Sequence, residues 1–167
     1  MKEIALLPSP RESDWMPALR EGLVSGSLAS LLATAVLAFA GQRETGSAVA
    51  PINAVSHWLW GEEALLENEP TWRHTALGLL TNHAAAVFWA VLHAKLARRS
   101  PWAGTLPGAV LGGLATSAAA SAIDYTIVPK RLTPGFEHRL STRSMVGVFA
   151  ALAAGVAIGS MLMRDRD

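Results

Sequence analysis

The stretch GLVSGSLASLLATAVLAFAG, residues 22–41, contains no Asp, Glu, Lys or Arg over 20 consecutive positions. Three further windows share this property and have 20 or 21 residues each: 75–94, 103–123 and 144–163. An α-helix rises about 1.5 Å per residue and needs roughly 20 residues to cross about 30 Å of hydrocarbon. The four windows therefore predict four membrane-spanning helices.

A soluble α-helical protein with apolar core helices is the alternative. Such helices carry charged side chains on the face that meets water, and these windows carry none on any face. The composition agrees, because 51% of the 167 residues are hydrophobic and 16% are charged, which lies on the membrane side of the ordinary soluble range. We expect an all-α integral membrane four-helix bundle that forms one domain over residues 1–167. Its predicted spans are about 18–41, 75–97, 103–127 and 143–163, after a loose tail at 1–12.

Several classes of function are disfavoured by what the sequence lacks. It has no cysteine, which excludes disulfides and thiolate metal sites. Its net charge of +1 does not indicate the basic surface that binds nucleic acid. A b-type haem held between helices needs facing histidines, but His83 and His93 lie on one predicted helix and point apart. No HExxH, phosphate-binding loop or Gly-x-Ser-x-Gly motif is present. We expect no metal, no cofactor and no enzyme activity.

The basic residues give a weak orientation signal. With both termini in the cytoplasm, eight Lys and Arg residues lie inside and six outside. The first long connection supports this orientation, because it holds five acidic residues against Arg43 and Arg73. A basic cluster near the last span opposes it: Lys130, Arg131, Arg139 and Arg143. We expect cytoplasmic termini.

Small residues recur at every fourth position in three of the four windows. In lipid, helices associate where small side chains let backbones approach. This pattern predicts a tight monomeric bundle, with a dimerisation face, a protein partner or a sliding transporter surface as the alternatives. The three stripes are Gly22, Gly26, Ser30 and Thr34; Gly104, Gly108, Gly112, Thr116 and Ala120; and Gly147, Ala151, Gly155 and Gly159.

The second span instead carries a stripe of larger polar side chains. Asn82 and His93 are 11 positions apart, which places them about 20° apart around a helix, and Thr75 and Trp89 share their sector. His83 lies about 100° to one side. Polar groups at membrane depth are costly and face the bundle interior or a wet cavity. We favour interhelical hydrogen bonding, with a proton or ligand path as the alternative.

Asp124 is the carboxylate at the edge of a span. It lies inside the membrane if the third helix continues through Val128, and at the interface if the helix ends near Ile123. A buried Asp needs a partner, and His83, His93 or a basic residue of the next connection are available. A salt bridge is favoured over a proton relay.

Both long connections predict short interfacial helices. In the first, Pro51 and Gly61 bracket about three turns, and Asn53, His57, Trp58 and Trp60 form a candidate lid or surface anchor. In the third, Val128-Pro129 stops the preceding helix and Thr133-Pro134 starts a turn. Lys130, Arg131 and Arg139 are candidates for contact with lipid phosphates or with acids of the first connection.

The motifs APINAVSHWLWG at 50–61, AAVFWA at 85–90 and VPKRLTPGFEHRLS at 128–141 resemble a set of uncharacterised bacterial inner-membrane proteins with four predicted spans. The resemblance covers most of the chain. It implies a bacterial inner-membrane location and no particular chemistry.

Three functions remain as hypotheses. The first is an accessory, scaffold or stress-related membrane component that contacts the bilayer, with its small-residue faces available to a second copy or a protein partner. The second is a small transporter or channel that uses the stripe from Asn82 to His93 together with Asp124. The third is a membrane enzyme with a His/Glu site around His57.

Overall fold

The computed structural model describes residues 15–98 and 100–164, so the predicted tail at 1–12 lies outside the described residues. Within these ranges the structure is all-helical and has no strand. Four helices are long and apolar enough to cross a membrane. The sequence prediction of an all-α chain with four such helices is confirmed.

The four long helices are α1 (Trp15–Thr45), α5 (Leu77–Ala97), α6 (Leu106–Thr126) and α7 (Thr142–Arg164). A π-helical turn, Trp72–Ala76, leads directly into α5, and Thr71 caps it by accepting a hydrogen bond from the His74 backbone N–H. Thr105 caps α6 in the same way through the Gly108 N–H, and Pro107 occupies the first turn, where no backbone donor is needed.

The long helices form a bundle in which α1 is central. It packs extensively against α5 on one side and α7 on the other, α6 packs on α7, and α5 and α6 touch only lightly. Small residues make the close contacts: a Cβ on Gly26 would lie 2.5 Å from the Cα of Val87 in α5, and one on Gly155 would lie 2.3 Å from the Cα of Ala29 in α1. The light contact between α5 and α6 leaves a seam between them.

The two long connections lie together at one end of the bundle, and we call residues 46–71 and 127–141 the cap. The first part contains α2 (Ala50–Val55), α3 (His57–Trp60) and α4 (Glu63–Leu66), and the second contains two 3₁₀ turns, Lys130–Leu132 and Phe136–His138. The Trp58 indole N–H donates to the Thr133 carbonyl at 2.7 Å, and Arg139 donates to the Leu65 carbonyl at 2.7 Å. The Glu44 carboxylate accepts from the Ser141 backbone N–H, which ties the end of α1 to the start of α7.

The opposite end holds the short turn between α5 and α6 and the beginning of α1. There the Lys95 ammonium lies 4.7 Å from the centre of the Trp15 ring. Glu21 is 3% exposed, and its carboxylate lies 3.8 Å from the Arg98 guanidinium. Each long helix therefore runs between the cap and this turn.

Candidate functional site

A cavity of about 610 Å³ opens between α5, α6 and α7 beneath the cap, and we call it the cap-side cavity. Its walls are mostly Ala, Leu, Val and aromatic side chains. It brings together four of the residues that the sequence singled out: Trp58, Asn82, Trp89 and Asp124. Two residues of the predicted polar stripe of α5 and one residue of the candidate lid thus line the same cavity as the Asp of α6.

Asn82 on α5 and Asp124 on α6 provide polar groups to this cavity. The Asn82 amide N–H donates to the Thr34 hydroxyl of α1 at 3.3 Å, which holds the side chain against the bundle. Asp124 lies in the last turn of α6, which ends at Thr126, and it is half-buried. Among the described residues its carboxylate makes no hydrogen bond or ion pair, so the predicted salt bridge to His83, His93 or a basic residue is not seen there.

Aromatic side chains form much of the remaining wall. Phe88 and Trp89 meet edge to face with ring centres 5.4 Å apart, and Phe136 lies 6.2 Å from Phe149 in a tilted arrangement. Trp58 comes from α3 and is fixed by its bond to Thr133 in the other half of the cap. The cavity roof therefore depends on both long connections.

The two histidines of α5 lie outside the cap-side cavity. His93 is buried, and its Nδ1 lies 2.9 Å from the Thr116 hydroxyl of α6. It lines a second cavity of about 510 Å³, the turn-side cavity, at the other end of the α5–α6 seam. His83 lies one turn before Val87 and lines neither cavity. The predicted stripe is thus divided between two cavities.

The residues that line the two cavities lie about one helical turn apart on both α5 and α6. On α5, Trp89 lines one cavity and His93 the other; on α6, Ala120 and Thr116 do the same. Four residues correspond to one turn of roughly 5.4 Å. The contact between His93 and Thr116 bridges the two helices at this level.

Two of the candidate lid residues of the first connection, Asn53 and His57, are packed inside the cap. All of α2 is buried, as is His57, whose Nδ1 lies 2.9 Å from the Ala54 carbonyl. The helix predicted from Pro51 to Gly61 is divided at Ser56, and Gly61 has a positive φ of 68° where α3 ends. Trp60 lies at the edge, with its ring 4.2 Å from the Arg73 guanidinium carbon.

Asn53 holds this part of the cap together. It is fully buried, and its amide donates to the carbonyls of Glu67 and Glu69 at 3.2 and 3.0 Å. Its oxygen accepts from the Thr75 hydroxyl at 2.7 Å. Asn53 therefore acts as an internal brace between α2, the end of the first connection and the start of α5.

The three candidate lipid-phosphate residues differ in their surroundings. Lys130 and Arg131 are exposed on the first 3₁₀ turn of the third connection. Arg139 is half-buried and donates to the Leu65 carbonyl and to the Asn68 side-chain oxygen. It joins the two halves of the cap through neutral oxygens rather than through acids of the first connection.

The His/Glu pairs of the cap and of the turn that leads into α5 do not form a metal centre within the described residues. His74 lies 4.0 Å from Glu63 and 3.9 Å from Glu67, and His138 lies 3.9 Å from Glu137. Over residues 15–98 and 100–164, no group of three or more His, Asp or Glu residues is arranged to hold a metal ion.

The sequence pattern does not predict three contacts near the site. Thr116 belongs to a stripe of small residues, yet it contacts His93; Gly113, outside that stripe, makes the close approach to α7, where a Cβ would lie 2.4 Å from the Ala153 carbonyl. Glu137 lies close to the end of α6, where its carboxylate accepts from the Tyr125 hydroxyl at 3.4 Å. The Thr133-Pro134 turn that precedes it was the available signal.

The fold and site define a class: an all-helical chain with four helices able to cross a membrane, a cap at one end and a largely apolar cavity beneath it. No protein-family model, curated protein or solved structure matches this chain.

Proposed function

We propose that this chain is a multi-pass protein of the bacterial inner membrane that binds an amphiphilic small molecule in the cap-side cavity and serves as an accessory component. The observation that carries the proposal is the cavity of about 610 Å³ between α5, α6 and α7. Ligand pockets range over roughly 300–1,000 Å³ and combine apolar walls with a few polar groups. The apolar walls, with Asn82 and Asp124 among the polar lining residues, fit that description.

The seam gives such a ligand a lateral route from lipid. Leu80 and Phe88 both line the cavity and are 63% and 57% exposed. In a membrane, exposed apolar side chains at this position face acyl chains rather than water. An amphiphile dissolved in the bilayer therefore reaches the cavity without passing through the cap.

A cavity-filling variant tests the proposal. Ala85 lines the cavity, whereas Ala118 is exposed on α6 and lines neither cavity. Protein in lipid nanodiscs is titrated with the neutral aromatic fluorophore N-phenyl-1-naphthylamine, and empty nanodiscs provide the partition baseline. We expect saturable binding to the wild type, weakened about tenfold or more by Ala85→Phe and changed less than about twofold by Ala118→Phe. Binding no greater than the baseline, or equal loss in both variants, would overturn the proposal.

Transport is the second candidate, and the turn-side cavity is the observation that favours it. Two cavities on the same helix pair, separated by one turn, form an interrupted path along the seam. A transporter opens such a path alternately to the two sides. Proteoliposome flux of candidate ions and solutes in the wild type, Asn82→Ala and Asp124→Asn tests this candidate. Flux that is reduced in both variants supports it, and the absence of flux for all tested solutes leaves the accessory function.

We propose no catalytic role and no partner beyond the bilayer. The hypothesis of an enzyme around His57 loses support because that ring packs inside the cap beside the Ala54 carbonyl. The small residues of α1 and α7 contact helices of the same chain, which favours the monomeric bundle over a dimer. Cytoplasmic termini remain a prediction from the basic residues.

A further inference from the structure

We infer that the amphiphile bound in the cap-side cavity carries a positive charge, which Asp124 recognises. This inference rests on the proposed function and specifies the chemical class of its ligand: a lipophilic cation with aromatic or aliphatic substituents. Three independent features of the cavity support it, namely its ionisable group, the electrostatics of the surrounding elements and its aromatic walls.

Asp124 is the single ionisable side chain among the described residues that line the cavity. It is half-buried, and no basic side chain of the described residues lies within ion-pair distance of it. A carboxylate in an apolar surrounding is costly unless a counter-charge or a hydrogen-bond donor accompanies it. A cationic ligand supplies that counter-charge inside the cavity.

The surrounding elements add further negative potential. Asp124 lies in the last turn of α6, which holds no basic residue, and the C-terminal end of a helix carries a partial negative charge. Glu137 lies beside the same turn and is held by the Thr133 hydroxyl at 2.6 Å. Of the nearby basic groups, Arg139 is bonded to the first connection and Lys130 is exposed outside the cavity.

The cavity walls suit a soft organic cation better than a hydrated metal ion. Five aromatic residues line the space: Trp58, Phe88, Trp89, Phe136 and Phe149. The face of an aromatic ring attracts cations, and this attraction grows when water is excluded. An anion of the same size and shape makes the same apolar contacts with the walls, but the Asp124 carboxylate and the aromatic ring faces do not attract it.

Two probes of matched shape separate charge recognition from apolar binding. Wild-type protein in nanodiscs of zwitterionic lipid is titrated with tetraphenylphosphonium and with tetraphenylborate, with empty nanodiscs as the baseline for each. Above that baseline, we expect tetraphenylphosphonium to bind at least about tenfold more tightly than tetraphenylborate. In Asp124→Asn that preference falls by about tenfold or more, and N-phenyl-1-naphthylamine binding by the same variant shows whether the cavity is intact; Asp124→Glu retains the preference.

The outcomes distinguish this inference from the proposed function. Equal affinity for the two probes, or an unchanged preference in Asp124→Asn, overturns the cation inference while binding of the neutral fluorophore keeps the amphiphile site. Absence of saturable binding for all three probes rejects both. Loss of the neutral fluorophore in Asp124→Asn shows that the substitution damages the cavity, and the wild-type preference between the two charged probes then decides: about tenfold or more supports the inference, and equal affinity overturns it.

Discussion

Asn53 shows how one buried amide organises the cap. Its side chain is fully buried and bonds to three partners that lie 14, 16 and 22 positions further along the chain. A buried amide without hydrogen-bond partners is unfavourable, because it has lost its hydrogen bonds to water and gains none inside the protein. The side chain therefore favours one arrangement of α2 relative to α5.

We predict that Asn53→Ala lowers the free energy of unfolding by about 2–3 kcal/mol, because it leaves the Glu67 and Glu69 carbonyls without their donor. The measurement is thermal unfolding in a mild detergent. Gln42→Ala is the matched control, since Gln42 is exposed and its side-chain amide donates a single hydrogen bond to the Gly46 carbonyl at 3.2 Å. A stability change in Asn53→Ala no larger than in Gln42→Ala contradicts the brace.

Packing between the long helices depends on the absence of side chains at particular positions. α7 provides a matched pair of glycines: a Cβ on Gly155 would lie 2.3 Å from the Cα of Ala29, whereas one on Gly147 would meet only Val36 Cγ1 at 3.5 Å. Backbone cannot move aside as a flexible side chain can. The first position must stay small, and the second tolerates a methyl group.

Gly155→Ala is accordingly predicted to destabilise the bundle by about 1–3 kcal/mol through overpacking between α1 and α7. Gly147→Ala should be neutral or slightly stabilising, since alanine favours helix and the added methyl makes an ordinary contact. Thermal unfolding of both variants in the same detergent measures the difference. Equal effects at the two positions would show that the α1–α7 contact is looser than described.

The long helices could be predicted from the sequence because their signal is local. A run of 20 residues without charge indicates a span whatever its neighbours are, so residues 22–41 sufficed for the centre of α1. Which helices pack against each other could not be predicted from these local runs. Gly112 and Gly113 are equally small, yet Gly113 packs on α7 and Gly112 lies against the His93 ring.

The cap-side cavity exists because α5 and α6 make little contact with each other. The bundle is held together instead by the packing of α1 on α5 and α7 and of α6 on α7. The helical period places Asn82, Trp89 and His93 in one sector of α5. Depth along the helix divides them between two cavities. Asp124 joins the first two only through the packing of α6. Such a combination depends on distances between helices, which the residue pattern of each helix alone does not contain.

The arrangement of four crossings also predicts which loops share a side of the membrane. The cap and the turn between α5 and α6 lie at opposite ends of the bundle, so cytoplasmic termini place the turn inside and the cap outside. The chain has no cysteine. A single cysteine introduced at an exposed position is therefore the only thiol in the protein that a maleimide can label. Arg131 lies in the cap and Ser100 in the turn.

In intact bacterial spheroplasts, we expect a membrane-impermeant maleimide to label Arg131→Cys and to leave Ser100→Cys unlabelled until the membrane is permeabilised. The expectation follows from the lower content of basic residues in the first long connection, which favours translocation of that end. Labelling of Ser100→Cys alone would reverse the orientation while keeping the four crossings. Labelling of both in intact spheroplasts would place the cap and the turn on one side, which four spanning helices do not allow.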